Sequence, residues 1–116
     1  MSDMMLSIAN SFSKFPAGRS KEDGPFNGAR FRDEILIPAL KNAAASGDRV
    51  VVELDGVVGY SSSFLEEVFG GIARAKSLPA DVLKNALIIK ANDVAYQPAK
   101  LDAESYLADA IRAAQK

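Results

Sequence analysis

The sequence predicts an α/β domain, and three segments carry that prediction. RVVVEL at residues 49–54 is a run of branched apolar residues, typical of a central strand covered on both faces. ALIIKA at 86–91 has the same character, and between the two strands residues 64–73 place apolar side chains at helical spacing. Because strands and helices alternate over only 116 residues, we expect one domain, residues 1–116, with a two-layer or sandwiched α/β core.

The amino-terminal quarter predicts a strand followed by a loop. Residues 4–9 are apolar enough for a first strand, which Phe12 and Phe15 either continue or follow as a second strand. Residues 16–28, PAGRSKEDGPFNG, combine glycine, proline and charge as exposed loops do. Loops of this length are more often functional or mobile than short connectors are.

A helix is predicted from a cap at Asn27 towards Ala45. Pro38 lies inside it, and we expect a kink or a break there because proline lacks an amide hydrogen and its ring clashes with the preceding turn. Ser46 and Gly47 end the helix. Its core-facing residues recur at helical spacing: Phe31, Ile35, Ala39, Leu40 and Ala43.

A second helix follows three serines. Its apolar stripe consists of Phe64, Leu65, Val68, Phe69, Ile72 and Ala73. Glu66 and Glu67 lie near its start, where negative charge suits the helix dipole. Adjacent helical side chains diverge by about 100°, so these carboxylates do not converge as an acid–base pair. Gly70 and Gly71 would let another backbone approach closely, either the sheet beneath or a partner, and close packing within the molecule is the simpler account.

The carboxyl-terminal third predicts a connector at residues 78–84, with one possible helical turn, and a last helix over 101–115 after the strand at 86–91. Asp102 is the candidate cap of that helix. One face of the helix carries Tyr106, Leu107, Ala110, Ile111 and Ala114.

Composition excludes several kinds of active site. The chain has neither cysteine nor histidine, so it offers no thiolate nucleophile, no Cys/His zinc site and no Ser-His-Asp triad. A net charge of -1 gives no general attraction to nucleic acid or to an anionic membrane. No apolar run approaches the roughly 20 residues of a membrane helix, and the amino terminus lacks a secretory pattern. We therefore expect a cytoplasmic protein that uses no cofactor or metal.

The strongest candidate site is the run Ser61, Ser62 and Ser63. It stands at a predicted helix start, where unpaired N–H groups and the positive end of the dipole favour a bound or covalently attached phosphate. Helix capping is the alternative, and one serine suffices for it. Asp55, just upstream, either stabilises a turn with Gly56 or orients a serine or metal.

A basic cluster flanks the long loop. Arg19, Arg30 and Arg32 are its candidates for an anion-binding or partner-binding surface. The alternative is ordinary solvated surface charge, because acidic residues are interleaved among them.

The stretch ELDGVVGYSSSFLEEVFGG resembles the signature of the STAS-like domain family of unknown function (DUF4325). The upstream stretch GPFNGARFRDEILIPAL resembles the loop and helix that precede this signature in the family. The resemblance covers the chain from about the first strand to the end of the serine helix. It implies a STAS-type fold, a small mixed β-sheet covered mainly on one side by helices, as in anti-sigma-factor antagonists.

The antagonists also supply an expected function. In them a serine at the start of the equivalent helix is phosphorylated by a histidine-kinase-like ATPase, and phosphorylation decides whether the two proteins bind. Their Asp-Ser-Ser-Gly pattern falls on Ser61, Ser62, Ser63 and Phe64, with Ser63 at the modified serine and Phe64 in place of glycine. The resemblance implies a non-enzymatic regulatory or protein-interaction module, in which these four residues and Asp55 are candidates for phosphorylation or partner contact.

A function of another class stays open at this point. The helix start could serve as the anion site of a domain that binds a small molecule, nucleotide or phosphate. An enzyme is less favoured, because a serine nucleophile would need an activating lysine or metal, and no such pairing is visible. The residues identify neither the partner nor the oligomeric state.

Overall fold

The predicted central strand lies in the middle of a three-stranded sheet. The computed structural model describes residues 2–115. Strand β1 is Asp3–Ser7, β2 is Arg49–Glu53 and β3 is Leu87–Lys90, in the order β1-β2-β3. The α/β fold class is confirmed, and the sheet, expected to be mixed, is parallel at both of its strand pairs. Parallel neighbours need long crossover connections, and the helices supply them.

Helices cover one face of the sheet. In the parallel register Leu6, Val52 and Ile89 stand side by side, and all three belong to the hydrophobic core. The neighbouring row, on the opposite face, is Met5, Val51 and Ile88, none of which belongs to that core. Because crossovers between successive parallel strands are right-handed, a sequential strand order sends every connecting helix to the same face.

Within the described residues, five helices complete the fold. Their bounds are α1, Ile8–Ser11; α2, in the consecutive pieces Gly28–Phe31, Arg32–Leu36 and Ile37–Ser46; α3, in the pieces Ser62–Leu65, Glu66–Gly70 and Gly71–Arg74; α4, Ala80–Asn85; and α5, Gln97–Ala114. The middle pieces of α2 and α3 are π turns. Short 3₁₀ turns lie at Lys21–Asp23 and Val94–Tyr96.

Helix α2 begins and ends where the sequence predicts. The side chain of Asn27 accepts the N–H of Arg30 at 2.8 Å, and Gly47 ends the helix with a left-handed φ of 73°. The chain is not broken at Pro38. The local change is the π turn just before it, in which Ile37 donates its N–H to the carbonyl of Arg32. A wider turn beside a proline accommodates the ring and the missing amide hydrogen.

Strand β1 ends two residues before the end of the strand that the sequence predicts over residues 4–9. It ends at Ser7, whose hydroxyl accepts the N–H of Asn10 and so caps α1. The strand prediction for Phe12 and Phe15 is therefore wrong, because the cap turns the chain into a helix before either residue.

Two predictions in the last third also need correction. The connector at 78–84 contains most of helix α4, which the sequence indicated only as a turn. The last helix begins at Gln97, so Asp102 lies inside it and is not its cap. Asp93 caps the preceding 3₁₀ turn by accepting the N–H of Ala95 at 2.9 Å.

The predicted apolar stripe of α3 is confirmed in full. Its six residues, Phe64, Leu65, Val68, Phe69, Ile72 and Ala73, are buried in one core with the covered face of the sheet. Among residues 2–115, no helix combines the length and apolarity that a membrane crossing requires.

Candidate functional site

Asp55 fixes the turn that leads from β2 to the serines. The following residue, Gly56, has a φ of 92°, a left-handed conformation that glycine adopts without strain. The carboxylate of Asp55 accepts the backbone N–H groups of Asn92 and Asp93 at 2.8 to 3.1 Å. These bonds lower the pKa of Asp55, because they stabilise its charged form. Asp55 thus joins the loop after β2 to the loop after β3.

The three serines have three different environments. The Ser61 hydroxyl caps α3 by accepting the N–H of Phe64 at 3.2 Å. Ser63 is half-buried, and its Oγ lies 3.2 Å from the Oγ of Ser61. Ser62 is exposed, and within residues 2–115 its hydroxyl makes no hydrogen bond. Capping accounts for Ser61, and it leaves Ser62 with a hydroxyl available to another molecule.

Phe64 is a core residue. Its side chain is completely buried, and its ring lies 6.4 Å from the ring of Phe31 and 6.2 Å from that of Tyr60, measured between centroids. Direct contact between Phe64 and a partner is therefore not possible in this structure. Phe64 anchors the serine turn from beneath.

Two tyrosines hold the turn from its inner side. The hydroxyl of Tyr60 donates to the carbonyl of Leu54 at 2.7 Å, and that of Tyr96 donates to the carbonyl of Val57. Burial raises the pKa of Tyr60, because a charged phenolate would lose its hydration there. Both side chains are therefore structural, and they tie residues on each side of Gly56 to the rest of the fold.

A cavity of about 430 Å³ opens between the serine turn and the start of α5. Ser62 lines it together with Tyr60, Tyr96 and Asp102. Among the described residues of its wall, Asp102 supplies the one carboxylate and there is no lysine or arginine. A negative charge inside the cavity does not favour an anion, so the geometry gives no support to the nucleotide-binding or phosphate-binding alternative.

Two of the three predicted basic residues are paired with the middle of α3. Arg19 lies 2.6 Å from Glu66 and 3.3 Å from Glu67, and Arg32 bonds to Glu67 at 2.5 Å. Arg74 also pairs with Glu66 at 2.6 Å. The guanidinium groups of Arg74 and then Arg19 lower the pKa of Glu66.

Arg30 pairs with Glu34 at 3.4 Å and has further partners within the molecule. Its guanidinium donates to the carbonyl of Pro25 at 2.8 Å and lies 5.4 Å from the ring centroid of Phe26 and 5.8 Å from that of Phe12. The cluster of Arg19, Arg30 and Arg32 does not present a free basic surface, because each cation is used inside the molecule.

Glycines let these charged groups lie close to the helices. A Cβ added at Gly71 would stand 2.5 Å from Nη1 of Arg32, and one at Gly70 would stand 2.2 Å from Oε2 of Glu66. At Gly28 the added Cβ would meet the Cβ of Glu67 at 2.8 Å and the carbonyl of Phe64 at 3.0 Å. Gly28 thus allows the start of α2 to approach the backbone of α3.

Exposed apolar side chains follow all three strands of the sheet. Phe15, Val58 and Val94 are 69%, 73% and 81% exposed, and each belongs to the loop region after a different strand of the sheet. The N–H of Val58 donates to the carbonyl of Lys14 at 2.9 Å, which ties the first two of these regions together. We define Phe15, Val58, Ser62 and Val94 as the strand-end surface.

One known family matches the part of the chain that forms the serine turn. The family described as "STAS-like domain of unknown function" (DUF4325) matches residues 27–97, more than half of the chain. The chain belongs to this STAS-like family. The match includes β2, β3, the serine turn and all of α2 and α3, so the resemblance seen in the sequence is confirmed. No curated protein and no solved structure matches the chain.

Sequence reasoning did not find the apolar part of the strand-end surface. The sequence predicts a strand at Phe15 and gives no local signal at Val58 or Val94. The signal available was positional, because ligands and partners of α/β domains bind beyond the carboxyl ends of parallel strands. That signal requires the strand order and direction, which only the fold supplies.

Proposed function

We propose that this STAS-like domain is a non-enzymatic regulatory module of the cytoplasm that binds a protein partner through the strand-end surface. The supporting observation is the exposure of three apolar side chains, Phe15, Val58 and Val94, in the loop regions after the three strands, together with the hydroxyl of Ser62, which makes no hydrogen bond within residues 2–115. Large apolar side chains left in water on adjoining loops are typical of protein contact sites.

The switch of this module is phosphorylation of the serine turn. Ser62 is favoured over Ser63 as the acceptor, because it is exposed and its hydroxyl is not bonded to Ser61. A phosphate carries a charge of about −1.5 to −2, and at Ser62 it would share a cavity wall with Asp102. The repulsion and the cost of burying that charge would release an apolar partner. The family resemblance suggests a histidine-kinase-like ATPase as both kinase and partner.

The binding surface is tested by recovery of partners from the native cells. Val58→Asp places a charge at the centre of the strand-end surface, while Asn42→Asp places the same charge on an exposed position of α2. We expect the first variant to lose the partners of the unmodified domain and the second to keep them, with both retaining the same far-ultraviolet circular dichroism. Equal recovery by the two variants would contradict the proposed surface.

The switch is tested with purified kinases. The domain is incubated with ATP and each histidine-kinase-like ATPase encoded in the same genome, and the modified residue is mapped by mass spectrometry. We expect phosphate on Ser62, lost in Ser62→Ala and kept in Ser77→Ala, a matched change at an exposed serine outside the surface. Phosphate confined to residues outside 61–63, or its complete absence, would count against the switch.

A further inference from the structure

The described residues leave two lateral edges of the sheet unpaired, at β1 and at β3, and the β3 edge lies beside a groove. Within residues 2–115, β3 pairs with β2 alone. The carbonyls of Ala86 and Lys90 accept N–H groups from Val50 and Leu54 at 2.7 and 2.9 Å, so even-numbered residues of β3 bond to β2. By the two-residue period of a strand, the backbone N–H and C=O groups of Leu87 and Ile89 point to the open edge.

Apart from the shortness of β3, which has four residues, and its terminal Lys90, this edge has no feature of the kind that usually protects one. The strand reads LIIK, without proline, bulge or an inward charge before Lys90. A cavity of about 440 Å³ runs beside it, with apolar walls from α4 and α5 that include Leu83, Leu107 and Ile111. Unpaired backbone groups beside an apolar groove are suited to a further strand.

The helix above the groove has a self-complementary charge pattern. Glu104, Ala108 and Arg112 line the groove at four-residue spacing along one face of α5. Each charge has only a weak exposed partner on the same helix, Lys100 at 3.7 Å from Glu104, and Asp109 beside Arg112. A second copy related by a two-fold axis near Ala108 would place each Glu104 opposite the other copy's Arg112.

The strand and the helix define the same axis. An antiparallel pairing of β3 with its copy, centred on Ile88, sets Leu87 opposite Ile89 in both directions and uses all of the outward backbone groups. Ile88 and Ala108 both line the groove, so one two-fold axis passes close to both. Two-fold axes require this kind of self-complementary surface.

We propose that the protein forms a symmetric dimer through the β3 edge and α5, with the two sheets joined into one of six strands. The occupant of the groove is a second copy, because a two-fold axis near Ala108 sets the Glu104 of each copy against the Arg112 of the other. The interface lies at the lateral edge of the sheet, so each strand-end surface stays accessible, and the antiparallel pairing directs the two surfaces to opposite ends of the dimer. The dimer does not depend on the proposed function.

Charge reversal and rescue test the dimer by sedimentation velocity from about 1 to 200 µM at low salt. We expect a species of twice the 12.4 kDa chain mass. Glu104→Arg and Arg112→Glu should each weaken association by about tenfold or more, and the double variant should restore it. Glu34→Arg, an exposed change on α2, is the control and should leave association unchanged.

Hydrogen exchange tests the strand pairing itself. The amide hydrogens of Leu87 and Ile89 should exchange more slowly as the protein concentration rises, whereas that of Val50, already bonded within the sheet, should not change. A monomer at every concentration, association insensitive to both single reversals, or concentration-independent exchange at Leu87 and Ile89 would overturn the proposal. Protection by an added peptide with a monomeric protein would assign the groove to a partner strand instead.

Discussion

Helix α3 carries polar residues at its beginning and in its middle, and the two groups differ in whether they are paired within the molecule. At the beginning, Ser62 is exposed and its hydroxyl has no partner within the described residues. In the middle, Glu66 and Glu67 are only partly exposed and bind three arginines from two other segments and from α3 itself. Residue type alone marks both regions as candidate sites, yet only the first keeps a group for another molecule.

The difference teaches that charge is a poor indicator of a site until its partners are known. Arg19 and Arg32 are charged, near a long loop and close in sequence, which are the usual features of an anion surface. Yet their partners Glu66 and Glu67 lie more than thirty residues away on α3. The following experiments test whether the residues in the middle of α3 stabilise the fold and whether the Ser62 hydroxyl at its beginning does not.

Phe64→Ala has the largest expected effect. It removes a fully buried ring that lies between the two regions, and such truncations lower the free energy of unfolding by about 3–5 kcal/mol. Val58→Ala, at an exposed position of the same turn, should change it by less than about 0.5 kcal/mol. Urea denaturation of both variants measures the contrast, and a small effect at Phe64 would mean that the serine turn is not anchored through the core.

Gly28→Ala tests the close approach of α2 to the middle of α3. The added methyl group would overlap Glu67 Cβ and approach the Phe64 carbonyl, so we expect a loss of about 1–3 kcal/mol in the free energy of unfolding. Gly59→Ala is the matched control in the serine turn, because nothing lies within 4 Å of its added Cβ. Similar urea midpoints for the two variants would show that the helices can separate without cost.

Glu67→Gln tests the charged network. It removes one of the two carboxylates that Arg32 contacts, the other being that of Asp33, and since the Arg32 side chain is only 14% exposed we expect a loss of about 1–2 kcal/mol. Glu34→Gln breaks a much more exposed pair with Arg30 and should cost less than about 0.5 kcal/mol. If both variants lose the same free energy of unfolding in thermal and urea denaturation, the ion pairs in the middle of α3 stabilise the fold no more than an exposed pair does.

Ser61→Ala and Ser62→Ala distinguish a serine that caps α3 from one whose hydroxyl is left for another molecule. Loss of the cap at Ser61 should lower the free energy of unfolding by about 1 kcal/mol. Loss of the Ser62 hydroxyl should leave it within about 0.5 kcal/mol, since that group has no partner in residues 2–115. A larger cost at Ser62 than at Ser61 would reverse the assignment of the two serines.

Acid should weaken the loop contact made by Asp55, with the smallest effect of the series. The pKa of Asp55 is lowered in the folded protein, so its stabilisation is complete above the unfolded value of about 3.9 and is lost as pH falls through the folded pKa. Asp55→Asn should therefore be less stable than the unmodified protein near neutral pH, and the gap should close in acid. Urea titrations from neutral to acid pH measure this difference in stability. A difference that does not change with pH would show that the charge of Asp55 does not stabilise the fold.

Local patterns were sufficient for some elements and insufficient for others. The stripe of α3, the Asn27 cap and the central position of β2 follow from spacing and capping chemistry, and the structure confirms them. Asp102 failed as a cap because the chain enters its last helix earlier, at a 3₁₀ turn that Asp93 caps. The residue type shows that an aspartate can cap the start of a helix, but it does not show which of two aspartates does so.

By itself, the sequence determined the α/β class, the place of the serines at a helix start and the absence of cysteine and histidine chemistry. These depend on residue type and short-range spacing, which the chain carries locally. The tertiary structure decided which serine hydroxyl has no partner among residues 2–115, that Arg19, Arg30 and Arg32 have partners, and that Phe15, Val58 and Val94 all follow the carboxyl ends of parallel strands. Such facts depend on contacts between distant segments, because a side chain is available only when no neighbour in space has already bound or buried it.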